Sequence, residues 1–165
     1  MAITSGMPVL RAPRAEDAGD LASLLSQLGY PADPRDIPAR LSTLASSSTA
    51  EAWVAEVSGR VVGLATAHVI QSLHKPDVVA MLTVLVVDAN TRHGGIGRAL
   101  VQHAEAWAMA RGATAISLTS ALRRVDAHAF YRRLGYDQTG VRLGKVLTPG
   151  PVPASAERPH QKTFP

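Results

Sequence analysis

The stretch Thr91-Arg92-His93-Gly94-Gly95-Ile96-Gly97-Arg98 decides how this chain is interpreted. It follows an apolar run at residues 81–87 that predicts a buried strand. It leads into residues 96–111, whose apolar side chains recur at helical spacing. The first N–H groups of a helix have no partner inside the helix and lie at the positive end of its dipole. A strand, a glycine-rich turn and a helix start therefore predict an anion-binding site.

The glycine spacing narrows the choice of phosphate ligand. Glycines have no Cβ atom, so a phosphate can approach the backbone amides closely. The dinucleotide pattern G-x-G-x-x-G fails here, because Leu100 stands where its third glycine would be. The G-K-[ST] ending of nucleotide-triphosphate loops does not occur in this turn either. The pattern that fits is R-x-x-G-x-G, formed by Arg92, Gly95 and Gly97.

A second block lies about 30 residues further along, at residues 127–136. Its sequence, AHAFYRRLGY, has the form A-x-x-x-Y-x-x-x-G-[FY]. In their order and spacing the two blocks resemble the GNAT N-acetyltransferase superfamily, whose members bind acetyl-CoA. The resemblance extends over roughly residues 8–147, and its specific part is these two blocks.

The predicted elements follow one another in the order βααβββαβαββ, which is the GNAT order. From the pattern alone we expect an α/β fold with a mixed sheet and helices on both faces. The resemblance adds that the central sheet is mostly antiparallel. It also implies a V-shaped opening between two parallel strands, where the thioester lies. The last strand pair is predicted at residues 136–139 and 141–147.

Length and composition predict one globular domain. The chain has 165 residues, of which 46% are hydrophobic. Residues 1–148 are expected to form a single acetyltransferase domain. Five prolines lie between residues 149 and 165, so that segment cannot form a strand ladder or a helix. We expect it to be a Pro-rich tail or arm.

Composition also disfavours several classes of function. The chain has no cysteine, which rules out disulfides, thiolate metal sites and a Cys nucleophile, and no metal is expected. The net charge is +4, but the basic residues are dispersed and aromatic residues are few, so no nucleic-acid partner is expected. No apolar run reaches membrane-spanning length and no signal-peptide pattern occurs, so we expect a cytoplasmic protein without a membrane partner. We further expect a homodimer.

The resemblance assigns roles to individual residues. Tyr131 matches the family tyrosine that donates a proton to the coenzyme A sulfur. Because the pKa of a free tyrosine, ~10, lies above that of a thiol, such a donor stays protonated at neutral pH. The backbone of Leu85, Val86 and Val87 is expected to pair with the pantetheine arm like an added strand. The pyrophosphate is expected to bind the backbone amides of His93, Gly94, Gly95, Ile96, Gly97 and Arg98, with the Arg92 side chain beside them.

The sequence has no carboxylate at the position where many GNAT proteins carry the general base. Many GNAT proteins carry a Glu on the central strand, just before the apolar triplet. Here Thr83 and Val84 are aligned with it, and neither can take up a proton at neutral pH. Four ways to obtain a neutral amine stay open. A water wire past Thr83 could carry the proton away, His74 could accept it, or Glu51 or Glu56 could accept it. The amine could also arrive already neutral.

The sequence therefore predicts an acetyl-CoA-dependent N-acetyltransferase that acts on the primary amine of a small molecule by direct attack on the thioester. Two alternatives stay open. One is a protein acetyltransferase for Lys side chains or N-termini. The other is a catalytically silent acyl-CoA-binding sensor, which the missing Glu favours and Tyr131 disfavours. The regions that select the acceptor in this family, residues 29–48 and 137–147, contain no acidic cluster that would indicate a polycationic acceptor.

Overall fold

A five-stranded sheet in the order β1-β2-β3-β4-β5 organises the chain. The structure is a computed structural model that describes residues 8–71, 73, 76–92 and 94–145. Strands β1 to β4 pair antiparallel with their neighbours, and β4 pairs parallel with β5. The strands are β1 (Val9–Arg11), β2 (Ala50–Val57), β3 (Arg60–Gln71), β4 (Val78–Val87) and β5 (Ala113–Leu118). The helices are α1 (Ala18–Leu28), α2 (Ile37–Ala45), α3 (Ile96–Ala110) and α4 (Val125–Arg133).

Helices cover both faces of this sheet. On the α3 face, buried side chains of β2 and β3 pack with Leu100, Val101 and Trp107 of α3. On the α1-α2 face, Leu21 and Leu24 of α1 pack with buried residues of the same strands and of β4. The sheet is therefore mixed and mostly antiparallel with helices on both sides, which confirms the predicted fold class.

Strand β4 contains one residue more than its partner β3 requires. Thr66 of β3 pairs with Val84 and Ala67 pairs with Leu82, so Thr83 is an extra residue in a β-bulge. The side chain of Leu82 lies in the core of the α3 face, whereas Val84 packs against the core of the α1-α2 face. A bulge bends the strand that carries it. The pairing of β4 with β5 ends at Leu82, directly before this bend.

The predicted final strand pair is not formed. Residues 136–145 have no regular secondary structure, so the expectation for residues 136–139 and 141–145 is corrected. Val141 and Leu143 have alternating strand character, yet they are 85% and 91% exposed. A strand persists only when its apolar face finds a surface to cover and its backbone finds a partner. These residues have neither among the residues that the structure describes.

Some predicted features lie outside the described residues. They include His74, His93, the last two residues of the predicted final strand and the whole Pro-rich tail at 149–165. Within the described ranges, no helix combines the length and the apolar character needed to cross a membrane.

Gly63 allows α3 to lie close to β3. A Cβ atom at this position would lie 2.9 Å from Cδ1 of Leu100 and 3.1 Å from Cγ2 of Ile96. Since Gly63 pairs with Val87 at the end of β4, this contact holds the start of α3 against that end of the sheet. The glycine-rich turn before α3 is thereby fixed in place.

We expect Gly63→Val to lower the free energy of unfolding by about 1–3 kcal/mol, because the added methyl groups overpack the contact with α3. Valine otherwise suits a strand better than glycine, so a loss isolates the packing effect. Gly19→Ala in α1 is the control, since an added Cβ there meets nothing within 4 Å. Urea unfolding measures both variants. A Gly63→Val protein as stable as the wild type would contradict the close packing.

Candidate functional site

The glycine-rich turn leaves backbone N–H groups free at the start of α3. Gly95 precedes the helix and has a φ of 75°, in the left-handed region that glycine adopts without strain. Its carbonyl accepts the first helical hydrogen bond, from the N–H of Ala99 at 2.9 Å. The amides of Ile96, Gly97 and Arg98 come before that bond, so the helix offers them no acceptor. They form the predicted anion-binding end of α3.

Three elements meet beside this helix start. A Cβ atom on Gly97 would lie 3.4 Å from Cζ of Phe130 in α4 and 3.6 Å from Cγ2 of Val87 in β4. A side chain larger than a methyl group would therefore collide with one of them. Arg92 and Arg98 are exposed next to the same turn. The predicted contacts of His93 fall outside the described residues.

The second half of β4 has an open edge. Parallel pairing with β5 runs from Val78 opposite Ala113 to Leu82 opposite Leu118 and then stops. Leu85, Val86 and Val87 pair with β3 on one side only. On the other side their backbone groups face no strand among the residues that the structure describes. An extended ligand can pair with such an edge as an added strand does.

Tyr131 lies on α4, on the α3 face of the sheet. It belongs with Leu85 and Val87 to the partly buried residues that pack against the core of that face. Its ring is in edge-to-face contact with Phe130, with centroids 5.2 Å apart. Burial raises the pKa of Tyr131, and the positive charge of Arg124 offsets part of that rise. The hydroxyl is therefore protonated at neutral pH, as a proton donor must be.

The neighbouring residue Tyr136 has a structural role. The hydroxyl of Tyr136 donates a hydrogen bond to Oε1 of Glu105 in α3 at 2.8 Å, and its N–H donates to the carbonyl of Tyr131. Burial, followed by this hydrogen bond, raises the pKa of Tyr136. Tyr136 thus attaches α4 to α3. The hydroxyl of Tyr131, by contrast, makes no hydrogen bond to another described residue.

The two carboxylates considered as general bases are both engaged. Glu51 accepts hydrogen bonds from the indole N–H of Trp107 and, at 3.3 Å, from Arg111. Glu56 accepts one from Arg11 at 2.6 Å. Each forms an ion pair with an arginine of the protein. These contacts disfavour both residues as the base.

Two hydroxyl groups mark the bulge on the α1-α2 face. Oγ1 of Thr83 and Oγ1 of Thr66 are 2.7 Å apart, and Thr83 also lies 3.2 Å from the carbonyl oxygen of Thr66. The predicted water route past Thr83 would therefore begin at a pair of hydroxyls. Because side chains alternate along a strand, His68 lies on the same face of β3 as Thr66.

Two adjoining clefts lie between α2 and this face of the sheet. The first, about 280 Å³, is mostly apolar and reaches Thr66 and Val84 beside the bulge. The second, about 360 Å³, has more polar residues in its lining, although most of its surface is also apolar. Arg40 and Leu44 line both, so the two clefts adjoin, and we call them together the α2 cleft. The second part is lined by Arg40, Thr43, Leu44, Ser47, Ala50 and His68.

The sequence analysis did not single out Arg40 or His68. One available signal was the alternation of β3, which places His68 two residues after Thr66 on one face. No local pattern indicates that Arg40 of α2 reaches the same space, because that depends on how α2 packs against the sheet.

Known proteins with related sequences provide an independent comparison. Residues 20–136 match the profile of the acetyltransferase (GNAT) family. An aminoalkylphosphonate N-acetyltransferase of Salmonella typhimurium is 37% identical over 90 residues, which are 54% of this chain and 58% of that protein. An N-acetylaspartate synthetase of Rattus norvegicus is 34% identical over 106 residues, which are 64% of this chain and 34% of that protein. The matches therefore span less than two thirds of these relatives.

Solved structures show the same architecture. A GNAT family acetyltransferase of Staphylococcus aureus superimposes with a TM-score of 0.72 at 20% identity, covering 85% of this chain and 98% of the other. At this identity the likeness shows the fold alone. The family match covers more than half of the chain and includes both the glycine-rich turn and Tyr131. This chain belongs to the GNAT acetyltransferase family.

Proposed function

We propose that this protein transfers the acetyl group of acetyl-CoA to a primary amine of a small molecule. The observation that carries the proposal is the meeting of three features at one end of the sheet. They are the free amides at the start of α3, the unpaired half of β4 and the side chain of Tyr131. A pure acyl-CoA sensor needs the first two features, whereas a proton donor for a leaving thiolate is needed only in catalysis.

On the donor side, the residues present suit coenzyme A. The amides of Ile96, Gly97 and Arg98, with the rest of the turn from Arg92, would hold the pyrophosphate. The open edge at Leu85, Val86 and Val87 would pair with the pantetheine arm. When bound, acetyl-CoA supplies an acetyl group activated as a thioester.

The reaction forms one bond and breaks one. The amine nitrogen bonds to the acetyl carbon, and the carbon–sulfur bond of the thioester breaks. The amine loses one proton and the departing sulfur gains one. Tyr131 lies on the α3 face and would supply the proton to sulfur. The α2 cleft opens on the opposite face, so the amine would approach from the side away from Tyr131.

The size of the α2 cleft favours a small acceptor. Of its two parts, the one of about 360 Å³ lies at the lower end of the volume range of small-molecule pockets, and the one of about 280 Å³ lies just below that range. The names of two relatives also refer to small molecules. One acetylates aminoalkylphosphonates, and the other is named for making N-acetylaspartate. We therefore favour a small-molecule acceptor over a protein.

Three further expectations stay proposals. We propose that residues 1–148 form the catalytic domain and that 149–165 form a tail or arm. We also propose a homodimer in the cytoplasm.

Release of free thiol from acetyl-CoA in the presence of a panel of small primary amines tests the proposed function. A lysine-containing peptide in the same panel tests the protein-acetyltransferase alternative. Binding of acetyl-CoA without thiol release for any acceptor would instead support the sensor.

A negative charge placed at the start of α3 would test coenzyme A binding, because the expected pyrophosphate is itself negatively charged. Gly95→Asp should weaken acetyl-CoA affinity by about 10–100-fold relative to Gly95→Asn, since a carboxylate repels the pyrophosphate. Asp and Asn have the same shape, and both tolerate the left-handed conformation of residue 95. Calorimetry measures the affinity. Equal affinity in the two variants would contradict a pyrophosphate at this turn.

Tyr131→Phe should leave acetyl-CoA affinity nearly unchanged and lower turnover by about 10²–10⁴-fold, the usual contribution of a positioned general acid. Tyr136→Phe is the matched control. It also removes one hydroxyl, which binds Glu105, from a ring that lies against the ring of Tyr131. That variant should lose stability and keep most of its turnover. Near wild-type turnover in Tyr131→Phe, with chemistry shown to be rate-limiting, would assign the proton to another donor.

We propose that the amine proton leaves through water at the hydroxyl pair of Thr83 and Thr66, since Thr66 lines the apolar part of the α2 cleft. Thr83→Val keeps the shape of the side chain and should lower kcat/KM most at neutral pH. The deficit should shrink at alkaline pH, where more of the amine is already neutral. A deficit of the same size at every pH would point to a packing role for Thr83.

A further inference from the structure

The α2 cleft carries a fixed positive charge with no carboxylate beside it in the lining. Arg40 is part of both halves of the cleft, and none of the described residues that line it is Asp or Glu. A cleft of this kind repels a cationic group and attracts an anionic one. Arg40 lies where the two parts of the cleft share their lining, and the apolar part extends from there to Thr66 beside the bulge.

The guanidinium of Arg40 is only loosely held by the protein. Its ion-pair partner is Asp36, one helical turn earlier, at 3.9 Å, with the two side chains 59% and 63% exposed. Exposed pairs at such a distance contribute little. Arg35, in contrast, makes hydrogen bonds of 2.6 to 3.1 Å to Asp33. The donors of Arg40 are therefore available to a ligand.

The hydroxyl groups that line the cleft with Arg40 have partners within the protein. Oγ of Ser47 accepts a hydrogen bond from the N–H of Thr49 at 3.2 Å and lies 3.2 Å from Oγ1 of Thr49. Thr43 donates its hydrogen to the carbonyl of Ala39. The guanidinium of Arg40 is therefore the donor group that suits an oxyanion here, because it presents several N–H groups in a planar fork.

We propose that Arg40 binds an acidic group of the acceptor, so that the acceptor is a small amine carrying a carboxylate or phosphonate. This inference rests on the proposed function. The acid would lie at Arg40, and the amine would extend along the apolar part of the cleft toward Thr66 and the bulge at Thr83. Polyamines and other polycationic acceptors are disfavoured, because they would bring a second positive charge to Arg40.

Matched acceptors test the proposal directly. β-Alanine, γ-aminobutyrate and 2-aminoethylphosphonate supply the acid. In β-alaninamide and γ-aminobutyramide, the neutral partners of the first two, an uncharged amide of the same length replaces the carboxylate. Thiol release gives kcat and KM for each acceptor. In the wild type, at least one acid should exceed its neutral partner in kcat/KM by tenfold or more.

Arg40→Gln should lower kcat/KM for that acid by about 10–100-fold, mainly through KM, as expected for loss of a charged hydrogen bond. The loss in kcat/KM with the neutral partner should be much smaller, the acetyl-CoA affinity should stay unchanged, and Arg40→Lys should restore part of the loss with the acid. Arg35→Gln is the control, since it removes an equal charge from outside the cleft lining. It should leave the preference intact.

Two failures are distinguishable. If neutral or cationic amines release thiol as well as the acids do, or if Arg40→Gln affects acid and amide equally, the anionic acceptor is excluded while acetyl transfer stands. If no amine in the panel releases thiol although acetyl-CoA binds, the proposed function fails and the inference falls with it.

Discussion

One extra residue in β4, Thr83, is the constraint on which the candidate site depends. The bulge bends β4 at the point where its pairing with β5 ends. Beyond the bend, no strand of the described residues pairs with the edge at Leu85, Val86 and Val87. Buried backbone groups left without partners are costly, so such an edge persists where a ligand or solvent completes its hydrogen bonds. The bulge therefore fixes where an extended donor can lie.

The two faces of the sheet divide the proposed chemistry between them. The α3 face carries the amides of the helix start and Tyr131, which would act on the donor. The α1-α2 face carries the Thr66–Thr83 hydroxyl pair and the α2 cleft, which would act on the acceptor. Close packing of α3 on Gly63 holds the start of α3 beside the end of β4.

Local sequence patterns, together with the family resemblance, were sufficient for the fold class. The glycine-rich turn and the apolar strand before it are contiguous in the sequence, so their local geometry follows from nearby residues, whereas the assignment of the tyrosine block to the donor side stays a prediction. The acceptor side depends on contacts between distant segments. The engagement of Glu51 by Trp107, and the entry of Arg40 into the cleft, become visible only when the elements are packed. The predicted final strands failed for the related reason that alternation alone supplies no partner.

The bulge also separates what folding needs from what the site needs. Leu82 and Val84 already occupy opposite faces, as adjacent residues of a regular strand do. A shorter chain lacking residue 83 would thus keep every other side chain of β4 on its present face and satisfy the same core. Thr83 is surplus to the architecture of the sheet. In the proposed arrangement Thr83 serves the site rather than the core, and its deletion is the smallest change that would separate the two roles.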